Sequence, residues 1–222
     1  TGCLYVATAT YPYTDWKCNW IHSAFENSAA TISGIEAAYQ SLKRQGKVTK
    51  TIKFIAVGGD GGTFDIGLQA LSGALERGHK FLYVCYNNEA YMNTGTQRSG
   101  ATPMGASTTT TPAGSASYGK PVFRKDLTGI VAAHNIPYLA QTTPAHWRDL
   151  MTKVKKALAA DGPSFLNILS PCHRGWRNEM KDSINLARIA ADTCYWPLYE
   201  VENGEYKLNY TPKEKKPITE WL

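Results

Sequence analysis

No apolar run in these 222 residues approaches the ~20 positions that cross a bilayer, and the opening residues do not resemble a secretory leader. The expectation is therefore a cytoplasmic protein with no membrane partner. Paired cysteines are missing as well: the chain has five, an odd number at irregular spacing, which describes no disulfide framework. Basic residues never gather into a dense patch. The net charge is +6, with small lysine groups at Lys153, Lys155, Lys156 and at Lys213, Lys215, Lys216, and no nucleic-acid-binding motif accompanies them. Those lysines fit a solvated surface, or a face that steers an acidic electron carrier. No internal repeat is visible. What remains is an ordinary globular composition, 43% hydrophobic and 19% charged, in a chain long enough to bury one full core.

The most informative stretch runs from Phe54 to Asn93. Phe54 to Val57 is apolar and strand-forming, and it enters Gly58-Gly59-Asp60-Gly61-Gly62, where glycine permits a tight turn and close approach to an anion. Phe64, Leu68, Leu71 and Leu75 then fall on one helical face, and Gly78 ends the helix behind Arg77. Phe81 to Tyr86 is a second apolar run without alternation, as in a strand buried on both faces of a parallel sheet. A helix of about fourteen residues spans roughly 21 Å, and a six-residue strand about 20 Å. The helix can therefore return the chain to start a parallel neighbour. Both the Gly-Asp-Gly turn and the Asn87-Asn88 turn then lie at strand carboxyl ends, where open α/β sheets bind ligands.

Asp60 and Asn88 should face each other across that edge. One carboxylate, one amide oxygen and backbone carbonyls make a hard oxygen site suited to Mg²⁺, whose octahedron is usually completed by phosphate oxygens and water. Glycine amides and the helix start can hold the phosphates. Gly-Asp-Gly alone also fits a turn with no ligand; the strand, helix, interval and paired asparagines together favour a Mg-diphosphate cofactor site.

Elsewhere, 1–19 reads as irregular polypeptide near a site, and a helix is expected from Ala24 to Gln45, ended by Gly46. His22 and Glu26 fit either a catalytic pair or a polar pair fixing that helix start. Residues 94–118, rich in Thr, Ser, Gly, Ala and Pro, fit a linker or an ordered segment covering the cofactor at a subunit contact, with Thr108 to Thr111 lining it. A short helix capped by Asp126, a strand at Pro137 to Ala140, a helix from Thr143 to Ala160 and a strand at Ser164 to Leu169 follow. The last delivers Ser170-Pro171-Cys172 to the same edge. A helix from Ser183 to Cys194 and an extended pair around Glu202-Asn203-Gly204 come next. Residues 203–222 read as a partner-wrapping tail. The alternation predicts one α/β domain over 1–222, with a mostly parallel sheet and helices on both faces.

GDGG at 59–62, FDIGLQALSGALERGH at 64–79, NNEAYMNTG at 87–95, QRSGATPMGASTTTTPAG at 97–114 and SPCHRGW at 170–176 carry a resemblance across nearly all of the chain. They resemble the beta, thiamine-diphosphate-binding subunit of the pyruvate:ferredoxin and other 2-oxoacid:acceptor oxidoreductases. The resemblance implies a thiamine-diphosphate-binding fold and Mg²⁺ held by Asp60, the Asn88 side chain and the Ala90 carbonyl. Gly59, Gly61, Gly62, Met92, Asn93 and Thr94 would bind cofactor, with Asn93 over the thiazolium ring and, like His22, a candidate catalytic residue. It also implies a [4Fe–4S] cluster with Cys3 and Cys172 as ligands. Two further cysteines normally precede the segment matching Thr1-Gly2-Cys3, so the amino end reads as truncated and the cluster as half-supported. Cys85 reads as a core residue; Cys18 and Cys194 default to packing.

The implied reaction is oxidative decarboxylation of a small 2-oxo acid, with electrons passing through iron–sulfur clusters to ferredoxin and the acyl group to coenzyme A. The implied partner is a pyrimidine-domain (alpha) subunit. Pyruvate is the first expectation. Asn87, where pyruvate-type members usually carry Asp, and His173-Arg174, in place of a neutral pair, admit oxalate. Two other readings remain: a non-redox thiamine-dependent decarboxylase or synthase, and a catalytically silent assembly subunit.

Overall fold

A computed structural model describes residues 2–10, 12–14 and 16–221. Thr1, Tyr11 and Asp15, which belong to the stretch expected to be irregular, lie outside the described residues, as does Leu222 at the end of the tail. Strands β1 (Ile55–Gly59), β2 (Leu82–Asn87), β3 (Ala113–Gly114), β4 (Ser117–Tyr118), β5 (Tyr138–Thr142), β6 (Ser164–Leu169), β7 (Tyr199–Glu202) and β8 (Glu205–Leu208) alternate with helices. These are α1 (Cys3–Thr8), α2 (Ser28–Arg44), α3 (Leu68–Glu76), α4 (Leu127–Ala132), α5 (Trp147–Ala159), α6 (His173–Trp176) and α7 (Ser183–Asp192). Six strands form one sheet in the order β1-β2-β6-β5-β7-β8, and β3 and β4 make a separate hairpin. The first four are parallel; β7 and β8 add an antiparallel edge. The expected α/β architecture is what forms.

The apolar pattern explains the layers. Phe64, Leu71, Leu75, Tyr83, Cys85, Leu127, Val131 and Phe165 pack one face of the sheet. Leu82, Tyr138, Ala140, Leu166 and Ala157 of α5 pack the other. Asp126 caps α4 as expected, its carboxylate accepting from Gly129 N at 2.9 Å. Asn203 and Gly204, with φ of 51° and 85°, make the tight turn between β7 and β8.

Four boundaries differ from expectation. The opening is not wholly irregular, because Cys3–Thr8 is helical. Helix α2 starts at Ser28 rather than Ala24, so His22 and Glu26 precede it. The helix after Asp60 begins as a π turn over Gly61–Ile66, closed by Gly67 N to Gly62 O at 2.9 Å, before α3 takes over. A side chain at Gly67 would place its Cβ 2.2 Å from that Gly62 oxygen, so the wide turn requires glycine there. Finally, 203–222 supplies β8 and then folds onto its own domain: Tyr210 donates to Asp192 at 2.6 Å and Trp221 stacks on Tyr195 at 4.8 Å.

Candidate cofactor site

The register fixes the site. Gly59 pairs with Tyr86, and Asn87 with Leu169, so β1, β2 and β6 end side by side and Asp60, Asn88 and the Ser170–Cys172 segment emerge on one edge. There a narrow, open cleft is lined by Gly59, Asp60, Gly61, Gly62, Asn88, Ala90, Met92, Asn93 and Thr94, together with Cys3, Phe25, Tyr86 and Tyr91. Every residue expected to bind cofactor from the glycine turn and the Asn88–Thr94 segment is in it. Two glycines are needed by close approach: a Cβ on Gly61 would lie 2.4 Å from the Tyr91 ring, and one on Gly62 2.9 Å from the Phe25 carbonyl.

Asp60 is buried. It accepts Ser99 Oγ at 2.5 Å and the Asn88 backbone N–H at 3.3 Å. Desolvation nevertheless dominates and pushes its carboxyl up to about 7, with those two hydrogen bonds opposing. The Asn88 side-chain amide lies 2.9 Å from both Asp60 Oδ1 and the Ala90 carbonyl. With its oxygen in that position, three acceptors converge with no donor among them, the arrangement a hard cation resolves; with the amide turned, its NH₂ bonds both oxygens instead. The residues present thus fit a Mg²⁺ ion and, beside it, a diphosphate at the glycine turn.

Around this edge, Lys120 is buried and donates to the carbonyls of Thr102, Ser99 and Gly100 at 2.6, 3.2 and 3.2 Å, holding the segment that carries Ser99. Tyr91 OH donates to Gly61 O at 3.0 Å and Asp65 Oδ2 at 3.2 Å. Trp176 Nε1 donates to Asn88 O at 2.9 Å. Glu89 lies between two oxygen donors yet points away from the cleft; burial lifts its carboxyl to about 7 against the opposing pull of Tyr195 and Arg124. Ser99, Phe25, Tyr91 and Trp176 were not legible as site residues from local spacing.

His22 is not brought to this cleft. It lines a separate apolar groove with Leu4, Trp20, Ile35 and Val57, and its Nε2 lies 2.8 Å from Thr8 Oγ1. Because α2 starts six residues later, His22 ties α1 to the approach of α2. Thr108 and Thr109 open on a neighbouring groove with Glu89, Met92 and Arg174. The Cys3 thiol reaches the Asn88 side chain and Asn93 backbone; burial raises its pKa first, and the nearby Cys172 thiol raises it further. Cys85 is fully buried in β2, and Cys18 and Cys194 are exposed. Among the described residues no group of three or more Cys, His, Asp or Glu is assembled, so a four-thiolate cluster does not fit this set; it holds two candidate ligands.

Residues 1–168 match the family model "Thiamine pyrophosphate enzyme, C-terminal TPP binding domain". The chain is 55% identical over 224 residues to pyruvate synthase subunit PorB of Methanocaldococcus jannaschii, covering 100% of this chain and 75% of that protein. It is 54% identical to the PorB subunit of Thermotoga maritima, over 100% of this chain and 69% of that one. Against ketoisovalerate oxidoreductase subunit VorB of Pyrococcus abyssi it is 48% identical, over 99% and 71%. Among solved structures, 2-oxoglutarate:ferredoxin oxidoreductase from Magnetococcus marinus shares the fold, with TM-score 0.58 and 21% identity over 74% of this chain and 58% of that one.

Proposed function

The chain belongs to the thiamine pyrophosphate enzyme family, among the beta subunits of 2-oxoacid:ferredoxin oxidoreductases, and from that premise we propose that it is the Mg-thiamine-diphosphate-binding subunit of a pyruvate-oxidising enzyme. The observation that carries the reading is the Asn88 side chain set 2.9 Å from both Asp60 Oδ1 and the Ala90 carbonyl, beside a glycine turn that admits no side chain. Asp60 supplies the anionic ligand, Asn88 and Ala90 neutral ones, and the Gly61-Gly62 turn cradles diphosphate. Asn93 and Met92 line the cleft beyond the metal end, where they would orient the thiazolium ring. Thiamine diphosphate held there would supply a nucleophilic carbon and an electron sink for the decarboxylation of a 2-oxo acid. This chain's part is to bind, orient and exclude water.

Cys3 and Cys172 are proposed as two thiolate ligands of an iron–sulfur cluster, supported by the nearness of the two thiols to each other. Ferredoxin as acceptor, coenzyme A as acyl acceptor and a pyrimidine-binding subunit as partner belong to the same proposal; that the relatives are named as subunits supports a partner chain. Pyruvate is preferred to oxalate because none of the three residues behind the oxalate alternative, Asn87, His173 and Arg174, lines the cleft. Asn87 Oδ1 accepts from Glu89 N at 3.0 Å, and Arg174 opens on the neighbouring groove.

Calorimetric titration with thiamine diphosphate, with and without Mg²⁺, tests the binding role: saturable, EDTA-sensitive binding is expected, and cation-independent binding would sink the metal assignment. Viologen reduction by the assembled enzyme, compared across pyruvate, oxalate, 2-oxoglutarate and a branched 2-oxo acid, tests the substrate.

A further inference from the structure

Glu89 stands in the left-handed region, φ 68°, between Asn88 and Ala90. A non-glycine residue is strained there and persists only where its surroundings impose that backbone. Here they do. Glu89 N donates to Asn87 Oδ1 at 3.0 Å, and its carbonyl accepts Thr102 Oγ1 at 2.5 Å. Its carboxylate, away from the cleft, accepts Arg124 Nη1 at 3.1 Å and the Tyr195 hydroxyl at 2.6 Å. Arg124 also donates to the Tyr195 carbonyl at 3.0 Å, and its guanidinium lies 4.5 Å from the Tyr195 ring centroid. Tyr195 stacks on Trp221, which meets Trp176 edge-on at 5.3 Å, and Trp176 returns to the Asn88 carbonyl. The 88–90 turn, whose Asn88 side chain lies 2.9 Å from both Asp60 Oδ1 and the Ala90 carbonyl, is thus gripped from behind by side chains that do not line the cofactor cleft.

We propose that Arg124 and Tyr195 are positioning residues for the cation site: acting through Glu89, they hold the 88–90 turn in the strained geometry that points the Asn88 and Ala90 oxygens toward Asp60. The inference rests on the Mg-diphosphate reading. It differs from a packing role in what it does to metal choice. Mg²⁺ demands near-ideal octahedral geometry at short distance, whereas Ca²⁺ accepts irregular oxygen sets. Loosening the turn should therefore penalise Mg²⁺ more than Ca²⁺, and loss of packing alone would not discriminate between them.

The test is thiamine diphosphate binding to the full chain with its co-purifying partners, titrated separately with Mg²⁺ and Ca²⁺. Arg124→Lys keeps the charge but loses the two-pronged contact; Tyr195→Phe keeps the ring stack and removes one hydroxyl, so at least one variant should fold. We expect half-saturating Mg²⁺ to rise roughly tenfold in Arg124→Lys and less in Tyr195→Phe, as for other groups that orient metal ligands, with smaller shifts for Ca²⁺. Arg124→Ala should be worse than Arg124→Lys. Unchanged cation curves, or equal shifts for both ions with a lowered melting temperature, would overturn the proposal. If the native protein binds thiamine diphosphate without any divalent cation, the Mg-diphosphate reading fails, and this inference falls with it.

Discussion

Ser99 donates its hydroxyl to Oδ2 of Asp60 at 2.5 Å across 39 positions of sequence, joining the Thr-rich segment to the carboxylate at the end of β1. The bond orients an otherwise desolvated charge whose other oxygen faces Asn88. Ser99→Ala should keep the fold, since Lys120 and Thr102 anchor the segment independently. A hydrogen bond to a charged group contributes about 1.5–3 kcal/mol, so Mg-dependent cofactor affinity should fall roughly ten- to hundredfold by calorimetry. An unchanged dissociation constant would remove Ser99 from the site.

That contact shows why some of the site was legible in the sequence and some was not. The strand-turn-helix-strand unit from Phe54 to Asn93 is local: apolar runs, glycines and an interval fitted to one crossover put Asp60 and Asn88 together. Ser99 reaches Asp60 across 39 positions, and Trp176 and Tyr195 reach Asn88 and Glu89 across 88 and 106, distances at which no period or spacing carries information. The π turn was hidden for another reason. Phe64, Leu68, Leu71 and Leu75 keep a helical stripe whether the first turn is α or π, so the pattern fixed the buried face without the hydrogen-bonding step. His22 was singled out with a helix expected to start directly behind it at Ala24; α2 starts at Ser28 instead, and His22 faces a different groove.

Asp60 gives a pH signature. Its folded-state value, about 7, lies above the unfolded 3.8. The folded chain therefore holds this proton more tightly, and stability is lost as pH rises between those values. Glu89, raised to about 7 from 4.5, acts in the same direction. The cofactor-free chain should melt at a lower temperature at pH 8 than at pH 5.5, with a shallower slope in Asp60→Asn. With Mg²⁺ on the carboxylate, as proposed, saturating Mg-thiamine diphosphate should release a proton near pH 6.5, visible as buffer-dependent binding heat. A melting temperature that rises across this window would contradict the assignment.

Gly61→Ala tests the cradle. Its Cβ would fall 2.4 Å from the Tyr91 ring, which is tied to Gly61 O and Asp65. Either the ring leaves those partners or the turn opens. Cofactor binding should be lost or weakened at least tenfold, at a stability cost of about 1–3 kcal/mol. Adding Tyr91→Ala should recover part of the affinity, because it clears the clash. Failure of the double variant to improve on Gly61→Ala would mean that the close approach to phosphate, rather than the ring, sets the need for glycine.

The last prediction is that this chain binds cofactor alone but turns over only with a partner. Thiamine diphosphate needs a carboxylate beside its aminopyrimidine ring to promote the tautomer that deprotonates the thiazolium carbon. Among the described residues lining the cleft, Asp60 is the sole acid, and it belongs to the metal end. Asp65 is engaged by Lys125 Nζ at 2.7 Å and Gly100 N at 2.9 Å, and Glu89 by Arg124 and Tyr195. Glu26, the internal alternative, precedes α2 and packs its backbone over Gly67; it is absent from the cleft wall. The carboxylate must then approach from the open side, on another subunit. Substrate-dependent viologen reduction should be negligible for the isolated chain although calorimetry records cofactor binding, and should appear when partner subunits are restored. In the assembled enzyme Glu26→Gln should leave the rate within about twofold, since one tenfold step needs 1.36 kcal/mol of lost transition-state stabilisation. Full activity from the isolated chain, abolished by Glu26→Gln, would instead place the catalytic carboxylate in this sequence and remove the need for a partner.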